Sequence, residues 1–438
     1  MSILPQVADA MQEVLTETSD VLARESGFVK RQRKLSGGGF AQTLVFGWLS
    51  NPDSTVDELS QTAATLDISI SPQGIDKRFT REAAEFLHRV LQEAVSTLIA
   101  ESPVAVPLLQ RFNGVYIQDN STVTLPDSLA AIWVGCGGNS TKNTSSSVKI
   151  HMRLDLNTGG LTGPYLHPGK EHAQNSQLHE ESFPEGSLRL ADLEYFCLED
   201  FRALNANGVY WLSRGKSQCH VYDQDGKLWD ILDLLKTHCK DRLDMHVLLG
   251  ARARIPCRLL AVRVPDKVAR LRRSKIISEY RREGRKPSKK MLGLASWSFA
   301  FCSVPSEMLS LDEAFVLLRT RWQIEMLFKL WKSYGHIDEW RSEKPWRILC
   351  EVYAKLLVMI IQHWILLASC WEYSDRSLFK ASKTIKKHAM NLACAFASGV
   401  KKRLCEVLKV IKRCLSGGCR INKSRSDPRN YQLLLAFG

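Results

Sequence analysis

None of the 12 cysteines sits in a Cys-x-x-Cys pair. The closest approaches to a ligand cluster are Cys219-His220 with His238-Cys239, and Cys414 with Cys419. Structural zinc favours tighter paired spacing, so buried free thiols in a reducing cytosol are the expectation. The opening segment MSILPQVADAMQEV has no basic stretch followed by an apolar core, so no secretory signal is expected. A long charge-free apolar run is missing as well. The most apolar segment, AKLLVMIIQHWILLASCW (354–371), carries Lys355, Gln362 and His363, which suits a buried core helix better than a membrane span. The glycine-rich stretch GCGGNSTKNTSSS (135–147) lacks a Lys-Ser/Thr after its glycines and fails as a phosphate loop.

What the chain does have is positive charge. Lys and Arg total 60 against 46 acids, a formal net charge of +14. That excess favours a polyanionic partner, with nucleic acid first. A length of 438 residues predicts two or three domains, and 45% hydrophobic content is enough for a sizeable core.

Residues 1–105 read as helical. The run KRQRK (30–34) is followed by a breaker, SGGGF. STVDELSQTAATL opens with a capping signal, Thr55 with Glu58 three residues on. SPQGIDKRF starts with Ser71 as a cap and Pro72 at the first helical position. Ile75 and Phe79 then face inward, leaving Gln73, Lys77 and Arg78 outward. The pair is either a helix-turn-helix or a plain helical hairpin. REAAEFLHRVLQEAVSTLI (81–99) is a longer amphipathic helix.

From about 106 the period changes to two. GVYIQD (114–119) reads as a strand ending at Asp119. SVKIHMRLDL alternates Val148, Ile150, Met152 and Leu154, and LRLAD ends at Asp192. EYFCLEDFRALNANG is helical up to Gly208, and VYWLSR resumes as a strand. This order indicates an α/β fold with a mixed sheet. Residues 216–300 mix strands with a basic helix. Between 267 and 290 stand Lys267, Arg270, Arg272, Arg273, Lys275, Arg281, Arg282, Arg285, Lys286, Lys289 and Lys290, against only Glu279 and Glu283. Such a block is either a solvated face or a phosphate-contacting one. ASWSFAFCSVP (295–305) reads as a returning strand, 311 to about 336 as one helix, and 350–415 as helical. RINKSRSDPRN (420–430) is a basic, turn-rich tail.

The segment RTRWQIEMLFKLWK (319–332) is the most informative. At roughly 100° per residue, Ile324, Leu327, Phe328 and Trp331 form a buried stripe. Arg321, Glu325 and Lys332 stand at its margin, where side chains can enter a cleft between helix and sheet. A simple Arg321–Glu325 surface pair is the plainer reading. Asp119 and Asp192 each close an apolar strand, and with Glu325 on a helix over the sheet they can make one acidic pocket. Hard divalent cations prefer such oxygen ligands, and two ions can activate a nucleophile and stabilise a leaving oxygen in phosphodiester cleavage.

Arg321, Trp322, Ile324, Glu325, Phe328, Lys329 and Lys332, in the order R-W-x-I-E-x-x-F-K-x-x-K, resemble the signature helix of DDE transposases. The pattern is similar to the insertion-sequence branch marked by Tyr-x2-Arg-x3-Glu-x6-Lys, the insertion-sequence-four-like family. Asp119 in QDNST resembles that family's first acid and Asp192 in LADLEYF its second. The likeness runs over about 110–345. One position departs: the signature Tyr falls on Leu318, which cannot hydrogen-bond a phosphate.

The resemblance implies a ribonuclease-H-like core over 106–345 with a β-rich insertion at about 216–300. A helical DNA-binding region at 1–105 and a helical C-terminal region at 346–438 flank it. It implies that Asp119, Asp192 and Glu325 hold two Mg²⁺ ions, for which Mn²⁺ can substitute. Arg321, Lys332 and Lys329 would contact the DNA backbone. Trp297 would stack on a flipped base, or else is a core residue. Arg272, Arg273, Arg281, Arg282, Lys77 and Arg78 are further candidates for DNA contact. The implied activity is metal-dependent cleavage at transposon ends and transfer of the 3′-hydroxyl to target DNA. It would be carried out by a cytoplasmic, nucleoid-associated prokaryotic homodimer without a membrane partner. Competing expectations are a metal-dependent nuclease without strand transfer, and an inactive or domesticated copy that binds DNA sequence-specifically.

Overall fold

Helices open the chain: α1 (Leu4–Glu13), α2 (Ser19–Glu25), α3 (Gly37–Ser50), α4 (Val56–Thr65), α5 (Pro72–Asp76), α6 (Arg81–Ser96) and the single turn α7 (Pro107–Gln110). The structure is a computed structural model that describes residues 3–31, 35–136, 145–171, 182–238, 240–373, 375–422 and 430–436. Residues 32–34 of the basic run, 137–144 of the glycine-rich loop, Cys239 and 423–429 of the basic tail lie outside the described residues. Thr55 and Glu58 make the expected capping box at the start of α4. Ser71 Oγ accepts from Gly74 N to open α5. That helix has only 5 residues, little more than one turn at about 3.6 residues per turn. The helix-turn-helix alternative therefore gives way to the plain hairpin, whose second arm has no length to lie in a groove.

The strands and the helices between them follow: β1 (Val115–Leu125), β2 (Ser146–Asp155), β3 (Leu161–Pro168), β4 (Leu188–Ala191), α8 (Leu198–Ala206), β5 (Tyr210–Arg214), β6 (Val221–Tyr222), β7 (Leu228–Trp229), α9 (Ile231–His238), β8 (Arg242–Leu249), β9 (Ile255–Arg263), α10 (Asp266–Arg282), α11 (Lys289–Leu294) and β10 (Trp297–Cys302). Helices close the chain: α12 (Leu311–Thr320), α13 (Trp322–Gly335), α14 (Pro345–Cys370), α15 (Leu378–Lys387), α16 (Ala389–Ala397), α17 (Lys401–Gly417) and α18 (Asn430–Ala436). The strands form one sheet in the order β3-β2-β1-β4-β5-β10-β9-β8-β6-β7. β1, β4 and β5 are parallel neighbours. β10 returns antiparallel between β5 and β9, so the segment expected as an insertion adds its strands to the edge of the same sheet. A mixed sheet with helices at both ends of the chain is the ribonuclease-H-like architecture that the sequence implies.

The chain divides into two compact units. One comprises Met1–Ala105, Asp119–Glu181 and Gln323–Tyr431. Its centre is α14, which packs against α3, α6 and α17. The helix is apolar all round, and the 18-residue window that would suit a bilayer by length and composition is 100% buried. Its polar side chains are satisfied inside: His363 Nε2 is bonded to Gly159 O at 2.9 Å, and Gln362 Oε1 accepts from Ser382 Oγ at 2.8 Å. In the same unit β2 buries Ser147, His151 and Arg153 as well as the alternating Val148, Ile150, Met152 and Leu154. Both faces of that strand are covered, so its alternation is weaker than a half-exposed strand would give.

The second unit comprises Val106–Gln118, Ser182–Trp322 and Gln432–Gly438. Its core gathers Phe201, Trp211, Leu235, Leu259 and Phe301 from α8, β5, α9, β9 and β10. Phe201 and Trp211 stack with ring centroids 4.0 Å apart. The indole Nε1–H of Trp211 is satisfied by Asn205 Oδ1. Gly208 stands at φ +66 where α8 turns into β5, a left-handed turn that glycine adopts without strain.

Candidate active site

β4 ends where the sequence predicts. Its four residues are buried, and Asp192 follows with extended backbone. The Asp192 carboxylate turns back on its own chain: Leu193 N donates to Oδ1 at 2.8 Å and starts a short helical turn over Leu193–Tyr195. Oδ2 faces Arg321 Nη1 at 3.4 Å. The sequence puts Arg321 at a helix margin, free to reach phosphate. The structure instead buries the guanidinium (4% exposed) beside a half-exposed Asp192 (32%). The helix expected over 311–336 is also interrupted at this residue, between α12 and α13. Thr320 Oγ1 donates to Leu317 O at 2.6 Å, and such side-chain bonds to the preceding turn compete with the ladder and bend helices.

Asp119 lies within β1 rather than at its end, because the strand continues to Leu125. Its Oδ1 accepts from Asn120 N at 2.9 Å. The last register pair between β1 and β4 is Gln118 with Ala191. Asp119 and Asp192 are the next residues along those two parallel strands. Glu325 stands half-buried in the first turn of α13, where the helix dipole favours a carboxylate. The apolar stripe is as expected, with Ile324, Leu327, Phe328 and Trp331 all buried. Lys332, two turns beyond Glu325, donates to Thr122 O at 2.9 Å, so α13 is tied directly to β1. Lys329 is exposed.

The second unit holds a cavity of about 780 Å³ lined by Trp297, Trp322, Phe299, Phe315, Arg214, Arg263, Arg272, Arg319, Leu318 and Leu193, among others. Trp297 is both things the sequence allows: it belongs to the core cluster and it faces this cavity. Two arginines fix it. Arg263 pairs with it across β9–β10 and holds its guanidinium 6.0 Å from the indole. Arg272 Nη1 donates to Trp297 O at 2.9 Å and its Nη2 to Ser298 Oγ at 3.0 Å. Burial, with the nearby Arg214 charge, lowers the Arg272 pKa. Sequence reasoning missed Arg214, Arg263 and Arg319 as cavity residues; they stand alone in apolar strands or a helix, and only tertiary packing gathers them.

α10 carries the first seven residues of the basic block, from Lys267 to Arg282, and Ala269 is its one buried residue among those described. The block divides in two. Arg272 and Arg273 are half-buried and hydrogen-bonded inward, Arg273 Nε donating to Leu292 O at 3.1 Å. They hold α10 against its own unit rather than reaching outward. Arg281 and Arg282 are exposed. In the hairpin, Ile75 and Phe79 are buried as expected, Lys77 is exposed, and Arg78 is half-buried.

The cysteine pairs contribute no ligand cluster among the described residues; burial pushes the Cys219 thiol up to about 11. A different set comes together instead. Ligand atoms of Asp53, His336 and Glu339 lie within 4.8 Å of one another. His336 Nδ1 is bonded to Asp53 Oδ1 at 2.9 Å. Burial pushes the Asp53 carboxyl up, but the His336 hydrogen bond and the His336, Lys355 and Arg341 charges outweigh it and hold the group below its ordinary value. Neighbouring cations already compensate these acids, so the group reads as an ion-pair knot.

Comparison with known proteins adds independent information. The family profile described as "Transposase DDE domain" matches residues 110–361. The transposase for insertion sequence element IS231B of Bacillus thuringiensis subsp. berliner is 29% identical over 363 residues, 78% of this chain and 75% of that protein. The transposase for insertion sequence element IS1151 of Clostridium perfringens is 23% identical, over 80% of this chain and 77% of its own length. The transposase for insertion sequence element IS421 of Escherichia coli is 24% identical, over 79% of this chain and 89% of its own.

Proposed function

Because the chain belongs to the DDE transposase family, we propose that Asp119, Asp192 and Glu325 are its three acids and together hold two divalent ions. The chain is a DNA transposase, and the family implies dependence on a divalent metal. Beyond that, the ion is Mg²⁺, with Mn²⁺ able to substitute. The substrates are terminal inverted repeats and target DNA, and the working species is a homodimer. The signature helix supports membership of the Tyr-Arg-Glu-Lys branch, with Leu318 in place of the tyrosine.

One observation carries the reading: Asp119 and Asp192 each follow the last paired residue of two adjacent parallel strands, while Lys332 ties the helix of Glu325 to β1 three residues beyond Asp119. The donor set fits hard cations, being carboxylate oxygens alone. Asp192 keeps lone pairs beyond the one that accepts from Leu193 N–H.

Ions bound there supply Lewis acidity to the attacking and leaving oxygens of phosphodiester exchange. The chain's own residues do the rest. Leu193 N–H and Arg321 fix the Asp192 carboxylate in one orientation, which keeps the ligand from being spent on solvent. Lys329 and Lys332 add positive charge beside Glu325 for the phosphate backbone. Trp297, held by Arg263 and Arg272, offers an aromatic face to a base in the cavity. Exposed Arg281 and Arg282, with Lys77 and Arg78 in the turn between α5 and α6, contact the terminal repeats.

The test is strand cleavage of a transposon-end duplex, followed by joining of a pre-cut 3′-hydroxyl end. Glu325→Gln is expected to lose cleavage by more than about a hundredfold, beyond what loss of a supporting contact costs, and to keep end binding. Full metal-dependent cleavage by Glu325→Gln defeats the assignment. Leu318 favours one second reading, a copy that binds DNA without cutting it. That copy predicts sequence-specific binding with no cleavage at any metal concentration. Cleavage without joining would instead identify a nuclease.

A further inference from the structure

The catalytic helix α13 ends in a buried polar knot that the proposed chemistry does not use. Gly335 closes the helix, and His336 follows in the left-handed region at φ 46. The last carbonyls of a helix have no partner within it. Just past that end, Lys355 of α14 holds the turn that follows: its Nζ donates to His336 O at 3.2 Å and to Glu339 O at 2.7 Å. Lys355 is 2% exposed. Glu351, one turn earlier, stands 3.9 Å from that ammonium. It is itself held by Arg347 Nε at 3.2 Å and Arg341 N at 3.3 Å. α13 and α14 also pack closely here, since a Cβ at Gly335 would lie 2.5 Å from Met359 Sδ.

A buried ammonium is an expensive way to fill space in an apolar helix, because an apolar side chain of similar volume often stabilises as well or better. Its retention calls for a geometric reason. We propose that Lys355 is a positioning residue for Glu325, clamping the C-terminal end of α13 so that the helix holds one tilt. The inference rests on Glu325 being a metal ligand. Glu325 lies ten residues before Gly335, about 15 Å along the axis. A tilt of about 4° about that end therefore moves Glu325 by about 1 Å, a displacement that can cost about a hundredfold in rate. Lys332 bonded to Thr122 and the buried stripe hold the helix between these points, so losing the clamp loosens its C-terminal end.

The experiment is a Mn²⁺ titration followed by electron paramagnetic resonance, on full-length protein bound to a transposon-end duplex, with end affinity and cleavage measured in parallel. Lys355→Met is expected to bind the duplex as tightly as the unaltered protein, to need at least tenfold more Mn²⁺ for half-saturation, and to cleave at least tenfold more slowly. Lys355→Arg, which keeps the charge, is expected to recover most of both. Should Lys355→Met fail to fold, Glu351→Gln loosens the same clamp and is expected to shift the Mn²⁺ midpoint at least threefold. Unchanged Mn²⁺ binding in whichever variant folds overturns the inference. Glu325→Gln is the reference. If it too binds Mn²⁺ normally, the reading of Glu325 fails; if it alone loses Mn²⁺, only the clamp fails.

Discussion

Asp192 sits as an anion beside the buried Arg321 guanidinium, and on the proposed reading its oxygens also hold a cation, so one substitution touches both. Asp192→Ala is expected to lower stability by about 1–3 kcal/mol, the cost of taking a partner from a buried charged group, as well as activity. Lys329→Ala, on an exposed side chain, is expected to stay within about 0.5 kcal/mol. Urea unfolding of the two variants measures the difference. A second residue gives a pH test. Burial drives the His363 pKa down from 6.5 to about 4, against the weaker pull of its bond to Gly159 O. Between those values the unfolded chain takes up a proton that the folded chain refuses. This contribution is therefore complete above about 6.5 and declines as pH falls, by about 1.4 kcal/mol per unit, down to about 4. His363→Phe should remove that slope from urea unfolding between pH 7 and pH 5; an unchanged slope means that the imidazole is not held neutral.

At the scale of elements, the sequence is legible where one periodicity carries the signal. The stripe Ile324–Leu327–Phe328–Trp331, the capping box at Thr55 and Glu58, and the end of β4 at Asp192 all follow from local pattern. The interruption at Arg321 is not legible, since no glycine or proline marks it, and the Thr320 hydroxyl bond beside it exists only in the folded chain. The continuation of β1 past Asp119 is not legible either, because the polar Asn120, Ser121 and Thr122 break the apolar pattern of the strand. α10 shows the same limit within one helix. Its charge is plain from the sequence, but which arginines face inward depends on Leu292, Ser296 and Trp297, which lie further along the chain. The division is testable. Arg281→Gln with Arg282→Gln is expected to reduce the slope of log affinity against log salt by about 1.8, at about 0.9 per lost phosphate contact. Arg273→Gln should leave that slope alone and lower stability instead. Binding isotherms at several salt concentrations decide it.

For the whole molecule, the sequence carried the fold class and the function through a few spaced residues, while the grouping of the chain stayed hidden. Helices from the first 105 residues and from beyond residue 323 share one compact unit around α14. Contacts between segments so far apart leave no local periodicity to read. Lys355, Gln362 and His363 mark α14 as a core helix rather than a span from the sequence, and the complete burial of its 18-residue apolar window agrees. The proposed site reads from the sequence as three acids, whereas the contacts around them, Arg321 buried beside Asp192, Lys332 on Thr122 O and Lys355 on His336 O, come only from packing. The net charge of +14 accords with a DNA partner but cannot say where the cut is made.

The central claim is that Asp119, Asp192 and Glu325 act as one cation-binding set. Calorimetric titration of Mg²⁺ or Mn²⁺ into the protein–DNA-end complex, for the unaltered chain and for Asp119→Asn, Asp192→Asn and Glu325→Gln, tests it most directly. The account predicts that each single change weakens ion binding by at least about tenfold while end binding persists. Undiminished ion binding in any one of the three variants would contradict it.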